Sequence, residues 1–198
     1  MVIVCLQLNH AVSKPHPSSG GMLVRRVRYR VTASLDGYIA GPSGEIDWIV
    51  ADPSVDFDAL YAEFDTVLLG RRTYELTLQP GAPSWPVGWR IYVSSRTLPA
   101  EQPAGVTVVR ETLDATVAAL RAETGRDIWL FGGGVLAASL LNAGLIDRIE
   151  VAVMPVLLGG GTPLVGVGAP RTRLRLAKSS QSPSGILNLQ YEVQHAAA

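Results

Sequence analysis

The stretch that decides the fold is WLFGGGVLAASLLNAGLID, residues 129–147, which places three consecutive glycines between an apolar run and an alanine-rich segment. Residues 128–131 are typical of a short buried strand, and residues 135–142 carry apolar side chains at helical spacing before Gly144 ends the pattern. The glycines therefore lie at a strand-to-helix turn. The first backbone N–H groups of such a helix lack intrahelical partners and bind phosphate when no side chain blocks its approach. The alternative is that the glycines only permit a tight turn and close packing of the helix on the sheet.

The composition bounds the class of protein. A chain of 198 residues with 47% apolar and 17% charged residues predicts one globular domain with a sizeable core. The formal net charge is zero, which excludes nucleic acid as an expected partner. No window approaches the roughly 20 apolar residues that span a membrane. The single cysteine, Cys5, excludes an internal disulfide and a cysteine-built metal site, so we expect a cytoplasmic protein.

The first 21 residues differ from the rest of the chain in amino-acid composition. Residues 1–21 combine a brief apolar run with prolines, serines and glycines, and they predict a disordered or loosely attached extension. His10 and His16 lie in this segment, where solvated histidines are more common than metal ligands, so we predict no metal site. The compact domain is expected over residues 22–195.

The order of elements indicates an α/β fold. Strands are expected at residues 28–34, 66–69, 89–95, 106–109 and 128–131, and helices at residues 56–64, 72–78, 113–123 and 135–142. Continuous apolar strands that alternate with helices favour a mostly parallel sheet covered on both faces. Residues 147–155, 173–179 and 186–194 predict three more strands with no helix between them. These should add an antiparallel C-terminal portion to the edge of the sheet.

Two further strand ends carry polar clusters like the one at the glycines. LLGRRTYE, residues 68–75, and VSSRTL, residues 93–98, each place hydroxyl and guanidinium groups directly after a buried strand. Taken alone, the first is equally a helix start with solvated arginines, and the second a simple turn. Ligands in open α/β sheets lie outside the carboxyl ends of parallel strands, so the three clusters together predict one ligand with several phosphates. A dinucleotide fits this description.

The arginines of these clusters refine the prediction. Arg71, Arg72 and Arg96 offer planar, permanently charged donors that suit an additional phosphate group. The sequence therefore favours NADPH over NADH as the ligand.

Residues from about 28 to 193 resemble the dihydrofolate-reductase-like superfamily. The resemblance is closest to the reductase domain of the bifunctional riboflavin-biosynthesis deaminase/reductase and to its small stand-alone relatives. The motifs that carry it are ASLDGYIAG (33–41), GEIDW (44–48), LLGRRTYE, VSSRTL, FGGGVLAASLLNAGLID (131–147) and VMPVLLGGGTPL (153–164). The resemblance implies a three-layer α/β/α fold, an NADPH-dependent reductase and a homodimer.

The resemblance also implies positions for the cofactor. The residues implied to bind the pyrophosphate are Gly70, Arg71, Arg72, Thr73, Gly132, Gly133, Gly134, Val135 and Leu136. Those implied to bind the 2′-phosphate region are Ser94, Ser95 and Arg96. Ala33 and Ile39 are implied to lie beside the nicotinamide. The loop over residues 36–48 is expected to close over the reacting ring and exclude water.

The proton donor and the substrate contacts are less well marked. Asp36 and Asp47 are the candidate acids near the loop, although Asp36 is also a common turn residue and Asp47 a possible helix cap. Trp48 can stack on a planar heterocycle or pack the loop against the core. Phe131 stands where the riboflavin-pathway reductases commonly carry an acidic residue that contacts the substrate.

The expected function is hydride transfer, in which the cofactor supplies the reactive bond and the protein supplies position and electrostatics. The resemblance implies reduction of a planar heterocycle, as by 5-amino-6-(5-phosphoribosylamino)uracil reductase. Two alternatives stay open: a dihydrofolate-reductase-like activity, and a non-catalytic protein that binds NADPH or a flavin.

Overall fold

The computed structural model describes residues 24–82, 84–111 and 113–195. The predicted extension over residues 1–21, with His10 and His16, lies outside the described residues.

Four helices are interspersed among the first seven strands of the described chain, and no helix follows the seventh strand. The strands are β1 (Val27–Ser34), β2 (Tyr38–Ala40), β3 (Phe64–Gly70), β4 (Arg90–Ser94), β5 (Val106–Val109), β6 (Asp127–Gly132), β7 (Arg148–Met154), β8 (Thr162–Pro163), β9 (Arg173–Gln181) and β10 (Leu187–Gln194). The helices are α1 (Phe57–Tyr61), α2 (Arg71–Thr77), α3 (Asp114–Ala122) and α4 (Gly134–Asn142).

Eight strands form one sheet in the order β5-β4-β3-β6-β1-β7-β10-β9. The first six of these strands are parallel to one another, whereas β10 is antiparallel to β7 and β9 is antiparallel to β10. This confirms the predicted mostly parallel sheet with an antiparallel C-terminal portion. The strand over residues 147–155 was expected in the antiparallel portion, but β7 is parallel to β1 because α4 supplies the crossover connection from β6.

Successive residues of β3 show how both faces of the sheet are covered. Leu68 packs in one hydrophobic cluster with α3 and α4, while Val67 and Leu69 pack in a second cluster with α1 and α2. Side chains of a strand alternate between faces, so helices cover each side of this part of the sheet. The arrangement is the predicted three-layer α/β/α fold.

The helix predicted over residues 56–64 is shorter in the structure. It begins after Asp56, whose Oδ1 accepts a hydrogen bond from the Ala59 N–H at 2.9 Å, and it ends at Tyr61. Phe64 already belongs to β3 and is fully buried. The apolar spacing that predicted a longer helix therefore spans a helix and the first residue of a strand.

A buried ion-pair network joins β1 to β7 on the second face. Glu150 Oε1 accepts from Arg28 Nε at 2.6 Å, and Glu150 Oε2 accepts from Arg28 Nη2 at 2.9 Å. Arg28 also contacts Glu63, and its guanidinium lies 4.6 Å from the centre of the Phe64 ring. Burial alone would raise the pKa of Glu150, but the hydrogen bonds and charges of Arg28 and Arg30 outweigh it and hold that pKa below its ordinary value.

Removing this carboxylate should strongly destabilise the fold. We expect Glu150→Ala to lower the free energy of unfolding by about 3–5 kcal/mol, because it leaves the buried Arg28 without its main counter-charge. The control is Glu192→Ala, which breaks the exposed pairs with Arg148 and Arg175 and should cost less than about 1 kcal/mol. Urea denaturation measures both, and equal losses would contradict the account.

Candidate functional site

Three strand ends lie level with one another at one edge of the sheet. In the hydrogen-bonded register Gly70 of β3 lies opposite Ser94 of β4, and Leu69 of β3 lies opposite Gly132 of β6. Neighbouring strands are about 4.8 Å apart. The structure therefore brings together the three clusters that the sequence placed at strand ends.

The glycine triplet forms the turn from β6 into α4. Gly133 is the N-cap, with no side-chain hydrogen bond at the cap, and the peptide bond between Gly132 and Gly133 is cis. A Cβ on Gly134 would lie 2.3 Å from the Pro163 carbonyl oxygen, so that position requires glycine. A Cβ on Gly133 would meet only Thr73 Oγ1 at 3.8 Å and Ile39 Cδ1 at 3.9 Å. Gly133 thus borders open space between β6, α2 and β2.

A single cleft of about 1520 Å³ extends from these strand ends across the second face of the sheet. Sites for one small molecule usually measure roughly 300–1,000 Å³, so this cleft has room for two ligands side by side. The predicted site residues that line it are Ile39, Gly70, Arg71, Arg72, Thr73, Ser94, Phe131, Gly132, Gly133, Gly134, Val135 and Leu136.

Other predicted cofactor residues do not line the cleft. Ala33 is 1% exposed and belongs to the core between β1 and the helices α3 and α4. Ser95 is also buried, and its Oγ accepts a hydrogen bond from the Leu98 N–H at 3.0 Å, which stabilises the turn after β4. Arg96 is exposed, and its carbonyl oxygen accepts from Arg110 at 3.0 Å.

Asp36 anchors its loop to a second run of three glycines, residues 159–161. Its carboxylate accepts hydrogen bonds from Ser34 Oγ at 2.6 Å and from the Gly159 N–H at 2.7 Å, with a longer one from the Leu158 N–H at 3.1 Å. The Ser34 hydrogen bond, together with these backbone bonds, lowers the pKa of Asp36. An acid held ionised in this way suits an anchor better than a proton donor.

The other two loop candidates lie outside the cleft lining. Asp47 is exposed, and Trp48 donates from Nε1 to the Glu45 carbonyl oxygen at 3.1 Å. Trp48 therefore has a contact within its own loop, next to Ile46 and Ile49, which do line the cleft.

The loop over residues 41–56 reaches the turn between β9 and β10 at the far end of the cleft. Asp52 accepts from Ser54 Oγ at 2.6 Å and from the hydroxyl of Ser184 at 3.2 Å. The Ser54 hydrogen bonds contribute most to lowering the pKa of Asp52 to about 2, and Ser182 and Ser184 add to the shift. The loop thus lines the cleft and reaches its end beside the turn between β9 and β10.

An aromatic cluster forms one wall. Phe131 makes edge-to-face contacts with Trp85 and Trp129, at centroid distances of 5.1 and 5.2 Å. Trp129, Phe57 and Phe131 line the cleft, which gives it a flat apolar side suited to a planar ring.

Sequence reasoning missed the polar floor of the cleft. Its members come from four neighbouring strands, β1, β7, β10 and β9: Arg30, Thr32, Glu150, Lys178, Ser180, Asn188 and Gln190. The available signal was the alternation of β1, where Arg28, Arg30 and Thr32 occupy one face and the apolar residues Tyr29 and Val31 the other. The pairing of β1 with β7 and of β10 with β9, which completes the floor, was not readable from the sequence.

The described residues contain neither a membrane-spanning helix nor a metal-binding cluster. No helix among the described residues has the length and apolar character needed to cross a bilayer. Within residues 24–195, leaving aside 83 and 112, no group of three His, Cys, Asp or Glu side chains is placed to hold a metal ion.

The sheet order and the cleft at its strand ends define a dihydrofolate-reductase-like α/β protein. The chain belongs to the RibD C-terminal domain family, whose model matches residues 25–188. Membership in this family indicates a riboflavin-pathway-like reductase domain.

Individual relatives agree with this assignment. The chain is 30% identical over 178 residues to an uncharacterised protein of Bacillus subtilis, YyaP, covering 84% of this chain and 94% of that protein. It is 34% identical over 148 residues to the riboflavin biosynthesis protein RibD of Mycobacterium tuberculosis, covering 68% of this chain but 43% of RibD. The crystal structure of a putative riboflavin biosynthesis protein from a Shewanella species superposes with a TM-score of 0.74 at 30% identity, covering 86% of this chain and 99% of that one.

The anchoring role of Asp36 predicts a local effect of its removal. In Asp36→Asn the amide keeps one weak acceptor and loses the charge, so the N–H groups of Leu158 and Gly159 should exchange with solvent deuterium faster. The control Asp47→Asn alters an exposed carboxylate of the same loop and should leave those rates unchanged. Hydrogen exchange followed by NMR measures both, and unchanged protection in Asp36→Asn would refute the anchor.

Proposed function

We propose that this protein is an NADPH-dependent reductase that transfers a hydride to a planar heterocycle. The observation that carries the proposal is the level register of Gly70, Ser94 and Gly132, which opens three neighbouring strand ends onto one cleft. The family match supports the reductase part of the proposal.

The residues at the strand ends fit a dinucleotide phosphate. The N–H groups of Gly134, Val135 and Leu136 open α4, where no residue precedes them to accept an intrahelical bond. Gly133 leaves the space in front of them clear, since a side chain there would point between Thr73 and Ile39. These amides and the dipole of the nine-residue helix α4 favour an anionic group.

The extra phosphate of NADPH is proposed to lie near the arginines. Arg71 and Arg72 are exposed on the cleft beside Ser94, and Arg96 is exposed just past the end of β4. Arginine binds phosphate with paired donors, so these side chains favour NADPH over NADH. Ala33 and Ile39 are proposed to lie on the nicotinamide side, Ala33 through its backbone because its side chain is in the core. NADPH, when bound, supplies the hydride.

The second half of the cleft is proposed to take the substrate. Its aromatic wall suits a flat ring, and the loop over residues 41–56, which also lines the cleft, is proposed to exclude water from it. An aminouracil ribosyl phosphate is the proposed substrate because of the family match; dihydrofolate, or coenzyme binding without catalysis, are the alternatives. Asp47 and Trp48 remain proposed as the proton source and a substrate contact, and both would have to move with their loop.

A homodimer acting in the cytoplasm is proposed as the working form. On one face of β9 and β10, Leu174, Leu176 and Leu187 are 41%, 51% and 43% exposed. A second copy packed on this face would remove them from water. Sedimentation velocity should then give twice the 21.1 kDa of one chain.

The activity can be tested with purified protein. NADPH should bind more tightly than NADH, and the nicotinamide absorbance should decay when the aminouracil ribosyl phosphate is added. Decay with dihydrofolate instead selects the second candidate, and binding without decay selects a non-catalytic protein. Absence of NADPH binding would overturn the proposal.

The glycine cradle can be tested without a substrate. We expect Gly133→Val to fold and to lose at least about a hundredfold in NADPH affinity, because its side chain occupies the path to the α4 amides. The control Gly160→Val adds the same bulk where a Cβ meets nothing within 4 Å, and should keep its affinity. Circular dichroism and coenzyme titration measure fold and binding. Equal affinities in the two variants would contradict the cradle.

A further inference from the structure

The floor of the substrate half is an ordered row of polar side chains. Arg30 of β1 lies in register with Glu150 of β7, Glu150 with Gln190 of β10, and Gln190 with Lys178 of β9. Residues directly opposite one another on neighbouring strands point to the same face of a sheet. All four line the cleft. The floor is therefore built by strand register rather than by a flexible loop.

Arg30 is held in place from two sides. Its Nη1 donates to Glu150 Oε2 at 2.8 Å, and its backbone carbonyl oxygen accepts from Trp129 Nε1 at 2.9 Å. Glu150 in turn is fixed by two hydrogen bonds from Arg28. The Glu150 ion pair therefore directs the guanidinium of Arg30 toward β7 at the base of the cleft, and the Trp129 hydrogen bond holds the Arg30 backbone beside the aromatic wall.

The donors of the floor are accessible and its central acceptor is not. The Arg30 side chain is 28% exposed, and among the described residues it spends one of its five N–H groups, on Glu150. Glu150 is 2% exposed, and its two oxygens already accept three N–H bonds. A ligand that reaches the floor beside β1 meets a guanidinium instead of a carboxylate.

The distance between Arg30 and the proposed nicotinamide position leaves room for a heterocycle between them. Arg30 lies three residues before Ala33 on β1, which at about 3.3 Å per residue is about 10 Å from the proposed nicotinamide position beside Ala33. A ring whose reacting bond faces the proposed nicotinamide position would direct its opposite edge toward this guanidinium.

We propose that Arg30, oriented by Glu150, is the residue that selects the substrate, by binding oxygen acceptors on the far edge of the heterocycle. This rests on the proposed reductase function, because that function places a planar ring in this half of the cleft. Phe131 of the neighbouring strand β6 supplies no carboxylate on the aromatic wall beside Arg30, so on this side of the cleft the ring edge meets a donor. An edge with carbonyl or carboxylate oxygens accepts hydrogen bonds from the guanidinium. An edge with an amino group instead places a second donor against the guanidinium, and no hydrogen bond forms.

Glu63 is the competing group. It also lines the cleft, is about half exposed, and contacts Arg28. If Glu63 bound the ring edge, the preference would be reversed, toward amino groups. The same set of variants can therefore separate the two residues.

Two pteridines that differ at one position provide the probes. Pteridine-2,4-dione carries a carbonyl where 2-aminopteridin-4-one carries an amino group, and both are fluorescent. Each is titrated into the wild-type protein with and without NADPH, and into Arg30→Met, Arg30→Lys and Glu63→Gln. We expect the dione to bind at least about tenfold more tightly to the wild type, which is the size of one hydrogen bond to a charged group.

The variants decide which residue is responsible. Arg30→Met should abolish the preference, Arg30→Lys should retain part of it, and Glu63→Gln should leave it unchanged. NADPH affinity should be the same in all variants, because Arg30 lies outside the proposed coenzyme half. Equal binding of the two pteridines to the wild type, binding of neither, or loss of the preference in Glu63→Gln alone would overturn the proposal. Failure of NADPH to bind would instead remove the reductase function, and the titrations without NADPH would still test Arg30.

Discussion

The level pairing of β4, β3 and β6 is the constraint on which the rest of the molecule depends. Because Gly70 lies opposite Ser94 and Leu69 opposite Gly132, three turns open at the same height above the sheet. Gly134 seats α4 directly against the 163–166 segment, where a Cβ would collide with backbone. Close packing behind the turn and open space in front of Gly133 have the same cause, which is the absence of side chains at three consecutive positions.

The cleft has two halves with different chemistry. The half at the strand ends offers backbone N–H groups, hydroxyls and guanidinium groups, whereas the half over β1, β7, β10 and β9 combines an aromatic wall with a polar floor. The ion pairs that position the floor, centred on Glu150, also join β1 to β7. Fold stability and the proposed recognition of the ring therefore depend on the same buried carboxylate.

The sequence predicted what local patterns determine. Apolar runs and glycines located β3, β6 and α4 to within a few residues, and strand polarity then placed their ends together. It did not predict β2 and β8, since strands of three and two residues carry no readable period. It also missed Arg30 and Glu150 because their roles depend on which strands become neighbours. The sequence marks Asp36 as a candidate acid but does not reveal its anchoring role, because its partners Leu158 and Gly159 lie more than 120 residues away.

The most direct measurement is a crystal structure of the protein soaked with NADPH. The account predicts the pyrophosphate within hydrogen-bonding distance of the N–H groups of residues 134–136, the adenosine phosphate near the arginines after β3 and β4, and the nicotinamide beside Ile39. Coenzyme bound at any other surface, or phosphates that make no contact with the start of α4, would contradict it.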